Sequence, residues 1–191
     1  MRQTIFNPNS LKVIFTQVQL SRMREEAKEI QKKKEANKEI ITNHKVCTRF
    51  TDTRTFEIGF LGEYAWESIF HQKPDTRPMI GGDGGKDFIF HGKSIQIKTS
   101  KGFLIFNNME HFSTQIAVCV AYEPTDLYAV WVQGWITKEE FREKHFIENF
   151  GYGPKVCVQP VDLHSITTLE EYCDRMKVAD PRNPHLSLPN M

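Results

Sequence analysis

The stretch GGDGGKDFIFHGKSIQIKTS, from Gly81 to Ser100, constrains the fold more than any other part of the chain. Two short alternations of apolar and polar residues flank an HGK tripeptide, and this period of two is typical of strands buried on one face. A two-residue loop at Gly92–Lys93 suits a tight turn, because glycine adopts positive φ without strain. The sequence therefore predicts an antiparallel hairpin over residues 86–99.

The predicted hairpin carries polar side chains where strands usually carry valine or threonine. With the loop at Gly92–Lys93, Asp87 lies opposite Lys98, and Gln96 shares their face because residues two apart point the same way. A one-residue change in loop length would separate Asp87 from Lys98. The alternative interpretation is an ordinary surface Asp–Lys pair worth a few tenths of a kcal/mol. The other face is expected to be apolar, with Phe88, Phe90, Ile95 and Ile97.

Helical and strand-like patterns surround this hairpin. A charged helix is expected over residues 21–42, and a second helix is expected to begin near Gly59–Glu63 and to end near His71. Unbroken apolar runs predict strands at 115–123 and 127–136, and Thr137 with Glu140 forms a capping box for a further helix. A last short strand and a last helix follow. This order predicts an α/β (α+β layered) fold with a central mixed sheet flanked by helices.

The chain is expected to form one domain with three parts. Residues 1–55 are an N-terminal arm with the charged helix, residues 56–160 are the core, and residues 161–191 are a C-terminal helix with a proline-rich tail. The formal net charge of +1 indicates neither an acidic nor a basic partner. The four scattered cysteines lack the spacing of a zinc site, and no segment has the pattern of a signal peptide or a membrane span. An intracellular, cytoplasmic protein without membrane contact is expected.

Three segments together resemble the PD-(D/E)XK nuclease superfamily: GEYAWE on a helix, GGDGGKDF entering a strand, and IQIK on the paired strand. The closest similarity is to Mrr-type restriction enzymes, with their GD-x-G-x-D and Q-x-K motifs. Asp87 matches the motif aspartate, Gln96 and Lys98 match Q-x-K, and Asp83 matches the first aspartate. The proline of the family name is absent, since Lys86 precedes Asp87. The similarity extends from about Gly59 to Phe141.

The resemblance implies a restriction-endonuclease-like core and a Mg²⁺ site, with Mn²⁺ as a substitute. The implied ligands are Asp87, the Gln96 amide oxygen, the Ile97 carbonyl and a helix glutamate, which is either Glu63 or Glu67. Magnesium prefers oxygen ligands, and an adjacent lysine such as Lys98 can orient the attacking water or stabilise phosphate charge. Ser100, Lys101, Asp83 and His91 are candidates for contacts with nucleic acid.

The function expected from this resemblance is Mg²⁺-dependent endonucleolytic cleavage of DNA, of a restriction, homing or phage DNA-processing type in a bacterial or phage setting. Members that cut both strands often dimerise, so a homodimer is one expectation. The alternative is a non-catalytic nucleic-acid-binding or assembly module that keeps the nuclease fold. The combination of Asp87, Gln96, Lys98 and an upstream glutamate favours the enzyme, because a degenerate member would usually have lost one of them.

Overall fold

The computed structural model of the chain describes residues 6–36, 53–74, 85–151 and 153–178. Four α-helices lie in this described part: α1 (Gln17–Ala36), α2 (Thr53–Phe70), α3 (Lys138–Lys144) and α4 (Leu169–Val178). Its strands are β1 (Leu11–Ile14), β2 (Phe88–Phe90), β3 (Lys93–Ser100), β4 (Leu104–Phe106), β5 (Ile116–Glu123), β6 (Asp126–Thr137), β7 (Phe146–Asn149) and β8 (Pro154–Val158).

Five strands form one mixed sheet in the order β1-β6-β5-β3-β2. β3 and β5 run parallel, and the other neighbours in this sheet are antiparallel. The long apolar runs predicted as strands at 115–123 and 127–136 are its β5 and β6, and β5 is buried along most of its length. A second, antiparallel sheet has the order β4-β8-β7. The expected α+β class with a central mixed sheet is confirmed.

The central sheet is covered by different layers on its two faces. Helices α1, α2 and α4 pack on one face, where their apolar residues form the main core with β3, β5 and β6. The second face packs against the small sheet and α3, and the apolar residues of this layer include Leu104, Phe106, Phe112, Phe141 and Val158. Helices therefore lie on both sides of the central sheet, as expected, and the β4 and β8 side chains cover a further part of the second face.

The segment expected as an N-terminal arm contributes to the main core. Strand β1, which the sequence pattern did not reveal, pairs antiparallel with β6 at one edge of the central sheet. Helix α1 begins at Gln17, slightly before the expected start, and its apolar stripe of Leu20, Met23 and Ala27 is buried. Residues 37–42 of the predicted helix lie outside the described residues.

The hairpin differs from the expected one by two residues in register. Its turn is His91–Gly92, not Gly92–Lys93, and Phe90 pairs with Lys93. Both turn residues have positive φ, 48° at His91 and 81° at Gly92, which a tight two-residue turn requires. Asp87 consequently lies level with Gln96 rather than opposite Lys98. Gln96 and Lys98 share one face because they are two residues apart on β3, and this does not depend on the register.

Helix α2 contacts β3 through a glycine. It begins at Thr53, so the expected start near Gly59–Glu63 is wrong, because the helix continues through Gly59. A Cβ added at Gly62 would collide with the Thr99 hydroxyl and lie 2.8 Å from Cγ2 of Ile97, whereas one added at Gly59 would meet nothing within 4 Å. The missing side chain at Gly62 therefore lets α2 lie directly on β3.

The two glycines of α2 provide an internal control for this contact. We expect Gly59→Ala to raise the free energy of unfolding by about 0.5–1 kcal/mol, because alanine favours the helix and its methyl group meets no neighbour. Gly62→Ala is expected to lower it by about 1–3 kcal/mol, because α2 must move away from β3. Urea unfolding of both variants measures the difference. Stabilisation by both substitutions would contradict the close packing at Gly62.

Candidate active site

The β2-facing edge of β3 holds the Asp87 carboxylate. Strand β2 pairs only with residues 93–95, so β3 extends beyond it. At this point the Asp87 backbone N–H donates to the Ile95 carbonyl at 3.0 Å, and the Ile97 N–H donates to Oδ2 of Asp87 at 2.5 Å. The Asp87 carboxylate thus takes the place that a partner-strand carbonyl would occupy, and it is fixed at the edge of the sheet.

The Ile97 carbonyl points towards the same edge. In a strand, the N–H and C=O of one residue point to the same side, and the N–H of Ile97 is directed at Asp87. A carboxylate oxygen can accept more than one interaction, so the hydrogen bond from Ile97 is compatible with cation binding. The edge therefore offers carboxylate and carbonyl oxygens close together.

Gln96 supplies a buried amide at the same level of β3. It is 3% exposed, and its Oε1 has no hydrogen-bond partner within the described part of the chain. Gly85 lies over the amide, since a Cβ there would stand 2.7 Å from Nε2 of Gln96 and 2.8 Å from Oγ of Ser113. An unsatisfied buried amide oxygen is costly, and a water or an ion commonly explains one. This oxygen thus fits a cation ligand.

Lys98 lies on the face of β3 turned towards the small sheet. Its Nζ stands 5.5 Å from the ring centroid of Phe106, within the range of a cation–π contact. The side chain of Lys98 is partly exposed, so its ammonium group is held near β4 without being buried. The structure therefore brings Lys98 and Gln96 to one face, with Asp87 at the adjoining edge.

The two candidate glutamates lie on α2, on the other face of the sheet from Gln96 and Lys98. Glu67 stands 3.9 Å from Nη1 of Arg22, which also pairs with Glu26 at 3.0 Å, so Glu67 belongs to the contact with α1. Glu63 directly follows Gly62, the residue at which α2 meets Ile97 and Thr99. Both glutamates are thus on the α2 side of the sheet, whereas Gln96 and Lys98 are on the other side.

The candidates for nucleic-acid contact are dispersed. Ser100 Oγ accepts from the Gly102 N–H at 3.2 Å and donates to the Phe103 carbonyl, so Ser100 shapes the turn after β3. Lys101 is exposed in that turn. His91 occupies the hairpin turn and contacts α4. Asp83 lies outside the described residues.

The donors present at the β3 edge fit a hard divalent cation. The Asp87 carboxylate, the Ile97 carbonyl and the Gln96 amide oxygen are all oxygen donors, which Mg²⁺ and Mn²⁺ prefer. Gln96 is neutral, so Asp87 provides the only negative charge among these three. The residues at this edge that could hold a metal are therefore Asp87, Gln96 and Ile97.

A second group of side chains with potential metal-ligand atoms was missed by sequence reasoning. His91 Nδ1 stands 2.6 Å from Oδ1 of Asp174, and His91 Nε2 stands 3.6 Å from Oε1 of Glu170. One ligand atom from each residue lies within 4.8 Å of the other two. The i, i+4 spacing of Glu170 and Asp174 predicts a shared helix face, but nothing in the sequence indicates that the hairpin turn meets it.

A cleft of about 520 Å³ lies at the end of β6, and its walls include Trp135, Glu140, His164 and Tyr172. Oε1 of Glu140 stands 2.6 Å from Nε2 of His164, and Oε2 accepts from the Thr137 N–H and hydroxyl at 3.1 and 2.9 Å. The predicted capping box is therefore confirmed. The same carboxylate also anchors the segment that precedes α4.

No protein-family model, curated protein or solved structure matches the chain. The similarity to PD-(D/E)XK nucleases therefore rests on the motifs around Asp87, Gln96 and Lys98. None of the described helices is long and apolar enough to cross a membrane.

The Glu140 contacts predict a pH-dependent contribution to stability. Burial acts to raise the pKa of Glu140, but the hydrogen bonds with His164 and Thr137 outweigh burial and lower it. A lowered folded-state pKa stabilises the fold above the unfolded value of about 4.3, and this contribution is lost as the pH falls through the folded value.

We therefore expect Glu140→Gln to lower the free energy of unfolding by about 1 kcal/mol at pH 7, with the deficit shrinking in acid. The exposed neighbour Glu139, also in the first turn of α3, is the control, and Glu139→Gln should have a smaller effect. Urea unfolding at pH 7 and pH 3.5 gives the comparison. A deficit that is the same at both pH values would contradict the role assigned to the carboxylate charge.

Substitution of the buried Gln96 distinguishes a role in stability from a role in metal binding. Gln96→Leu removes the unpaired oxygen and replaces it with an apolar group of similar size, so the free energy of unfolding should fall by no more than about 1 kcal/mol. Any thermal stabilisation by Mg²⁺ through this oxygen should be lost, because leucine at this position has no oxygen to offer a cation. Calorimetry with and without Mg²⁺ measures both. A large loss of stability in the metal-free variant would indicate that Gln96 is a structural residue.

Proposed function

We propose that the chain is a Mg²⁺-dependent endodeoxyribonuclease that hydrolyses phosphodiester bonds of DNA at the β3 edge. The supporting observation is the arrangement on adjacent residues of β3: the Asp87 carboxylate is bound to the Ile97 N–H, and the Gln96 amide oxygen is buried without a partner in the described region. Lys98 follows on the same face as Gln96. An ordinary surface hairpin has no need of a buried, unpaired amide beside a fixed carboxylate.

Each residue has a role that its position permits. Asp87 would bind the cation and hold it at the end of β2, with Gln96, the Ile97 carbonyl and Glu63 as further ligands. A bound Mg²⁺ would supply charge neutralisation at the phosphate and a more acidic water. Lys98 would orient the attacking water or stabilise the negative charge that develops on phosphate oxygens. Its contact with Phe106 fixes the direction from which the ammonium group acts.

The substitution of glutamine for the usual acid has a consequence for metal binding. With one fewer negative charge beside Asp87, the free protein should hold one cation at most, and weakly. DNA phosphates would supply the missing negative charge when substrate binds. Metal affinity is therefore expected to rise in the presence of a non-cleaved DNA.

The deep burial of Gln96 favours a second candidate function. At 3% exposure, this amide is accessible only if the residues above it, including Gly85, allow an ion to enter. A non-catalytic nucleic-acid-binding or assembly module would tolerate a closed site of this kind. Such a module would bind DNA through Lys98 and Lys101 without cutting it.

Plasmid cleavage decides between these functions. We expect the protein to nick or linearise supercoiled plasmid with Mg²⁺ or Mn²⁺ and to be inactive in EDTA. Asp87→Ala and Lys98→Ala should each lower the cleavage rate by at least about 100-fold, because each removes a group that acts on the transition state. Lys93→Ala is the matched control: it removes a lysine from the other end of the same strand and should leave the rate within about twofold.

Activity in EDTA, or full activity of both site variants, would contradict the assignment of the active site. If the protein binds plasmid in a gel shift but does not cut it under any of these conditions, the binding-module function replaces the enzyme. Sedimentation with and without DNA would test the expected homodimer.

A further inference from the structure

Three phenylalanines form a partly exposed aromatic surface beside the turn that follows β3. The ring centroid of Phe103 lies 5.9 Å from that of Phe146 and 6.0 Å from that of Phe150. All three side chains are partly exposed, whereas most of the other described phenylalanines are buried. We call Phe103, Phe146 and Phe150 the aromatic platform.

The chain places the platform on the outer face of the small sheet. Phe146 pairs with Cys157 of β8, and the alternation of β7 puts Phe146 and Glu148 on one face and Ile147 on the other. Phe106 lies on the inner face of this sheet, in the second apolar layer, where it contacts Lys98. The platform is thus on the opposite face of the small sheet from Phe106, and Phe103 follows the last residue of β3 by three positions.

The position of Phe103 is fixed by the turn that begins at the end of β3. Ser100 Oγ accepts from the Gly102 N–H and donates to the Phe103 carbonyl, so the turn is hydrogen-bonded on both sides of Lys101. Gly102 is buried and has a φ of 133°, a conformation that favours glycine. The turn therefore presents an exposed lysine and a partly exposed ring within three residues of the strand that carries Lys98.

The charges around the platform suit a nucleic-acid strand. Lys101 is exposed in the turn that carries Phe103. Lys155, on β8 next to β7, donates to Oδ1 of Asn107 at 2.8 Å. Glu148 lies opposite Lys155 in the β7–β8 register. Lys101 adds an exposed positive charge to the turn with Phe103, which favours a partner with phosphates.

We propose that the aromatic platform stacks unpaired nucleobases, and that the DNA on which the chain acts therefore contains single-stranded or branched segments. The rings are not coplanar, since the Phe103 plane makes angles of 74° with Phe146 and 54° with Phe150, so each exposed ring would stack its own base. Phenylalanine rings beside lysines bind single strands because every base has a face that can stack, whereas the bases of an intact duplex are inaccessible to such rings. This inference rests on the proposed function, since it names the substrate class of the same site.

Leucine substitution separates stacking from packing. Phe103→Leu and Phe146→Leu keep an apolar side chain at each position but remove the aromatic face. Ile147→Ala is the matched control, because Ile147 is 70% exposed and lies on the opposite face of β7 from Phe146. All variants are made in an Asp87→Asn background, so that DNA is bound but not cut during the measurement.

Three labelled probes are compared by fluorescence anisotropy: a 20-nucleotide oligo-dT, a duplex of the same length, and a strand of the same length with abasic sites at its centre. We expect the parent to bind oligo-dT more tightly than the abasic strand. Each leucine variant should lose about tenfold in affinity for oligo-dT, as for one lost base stack, while its affinity for the abasic strand and the duplex is unchanged. Ile147→Ala should match the parent on all three probes.

Equal losses on oligo-dT and the abasic strand, or no loss on either, would overturn the stacking proposal. Because binding is measured without cleavage, the platform is tested even if the plasmid assay detects no nuclease. Conversely, the protein could cut plasmid while its leucine variants bind oligo-dT as tightly as the parent. That result would support the proposed function and contradict the stacking role of the platform.

Discussion

The hydrogen bond from the Ile97 N–H to the Asp87 carboxylate determines the geometry of the candidate site. It ends the β2–β3 ladder with a side chain in place of a carbonyl, and so holds an acidic group at a strand edge. β2 pairs only with residues 93–95 of β3, and α2 can approach residues 97–99 of β3 because residue 62 is glycine. The position of every other candidate ligand is defined relative to this one interaction.

β3 carries two different environments on its two faces. Ile95 and Ile97 are part of the main core under α2, whereas Gln96 and Lys98 are directed at the second layer, where Phe106 lies. This division explains why the helix glutamates and the Q-x-K residues do not meet within one layer. The proposed site consequently depends on Asp87, Gln96 and Lys98, which lie at the edge and on the second-layer face of β3.

Much of this arrangement was predictable from the sequence because it depends on local alternation. The hairpin, β5, β6 and the capping box at Thr137 follow from residue periods and from one short motif. The predicted turn lies one residue too late, because His91 adopts a positive φ that glycine ordinarily favours. The predicted face of each side chain is nevertheless unchanged, because the register differs by an even number of residues. β1 and the contact of His91 with Asp174 depend on pairing across the whole chain, and no local pattern encodes them.

The Asp87 carboxylate also opposes edge-to-edge pairing of β3 with a strand of another copy of the chain. A strand edge with unpaired N–H groups is a template on which another chain can add a strand, and proteins commonly block such edges with charge. By occupying the Ile97 N–H, Asp87 removes the donor that an incoming strand would need and places a negative charge in its path. The residue proposed to bind the cation would therefore also protect β3 from edge-to-edge aggregation.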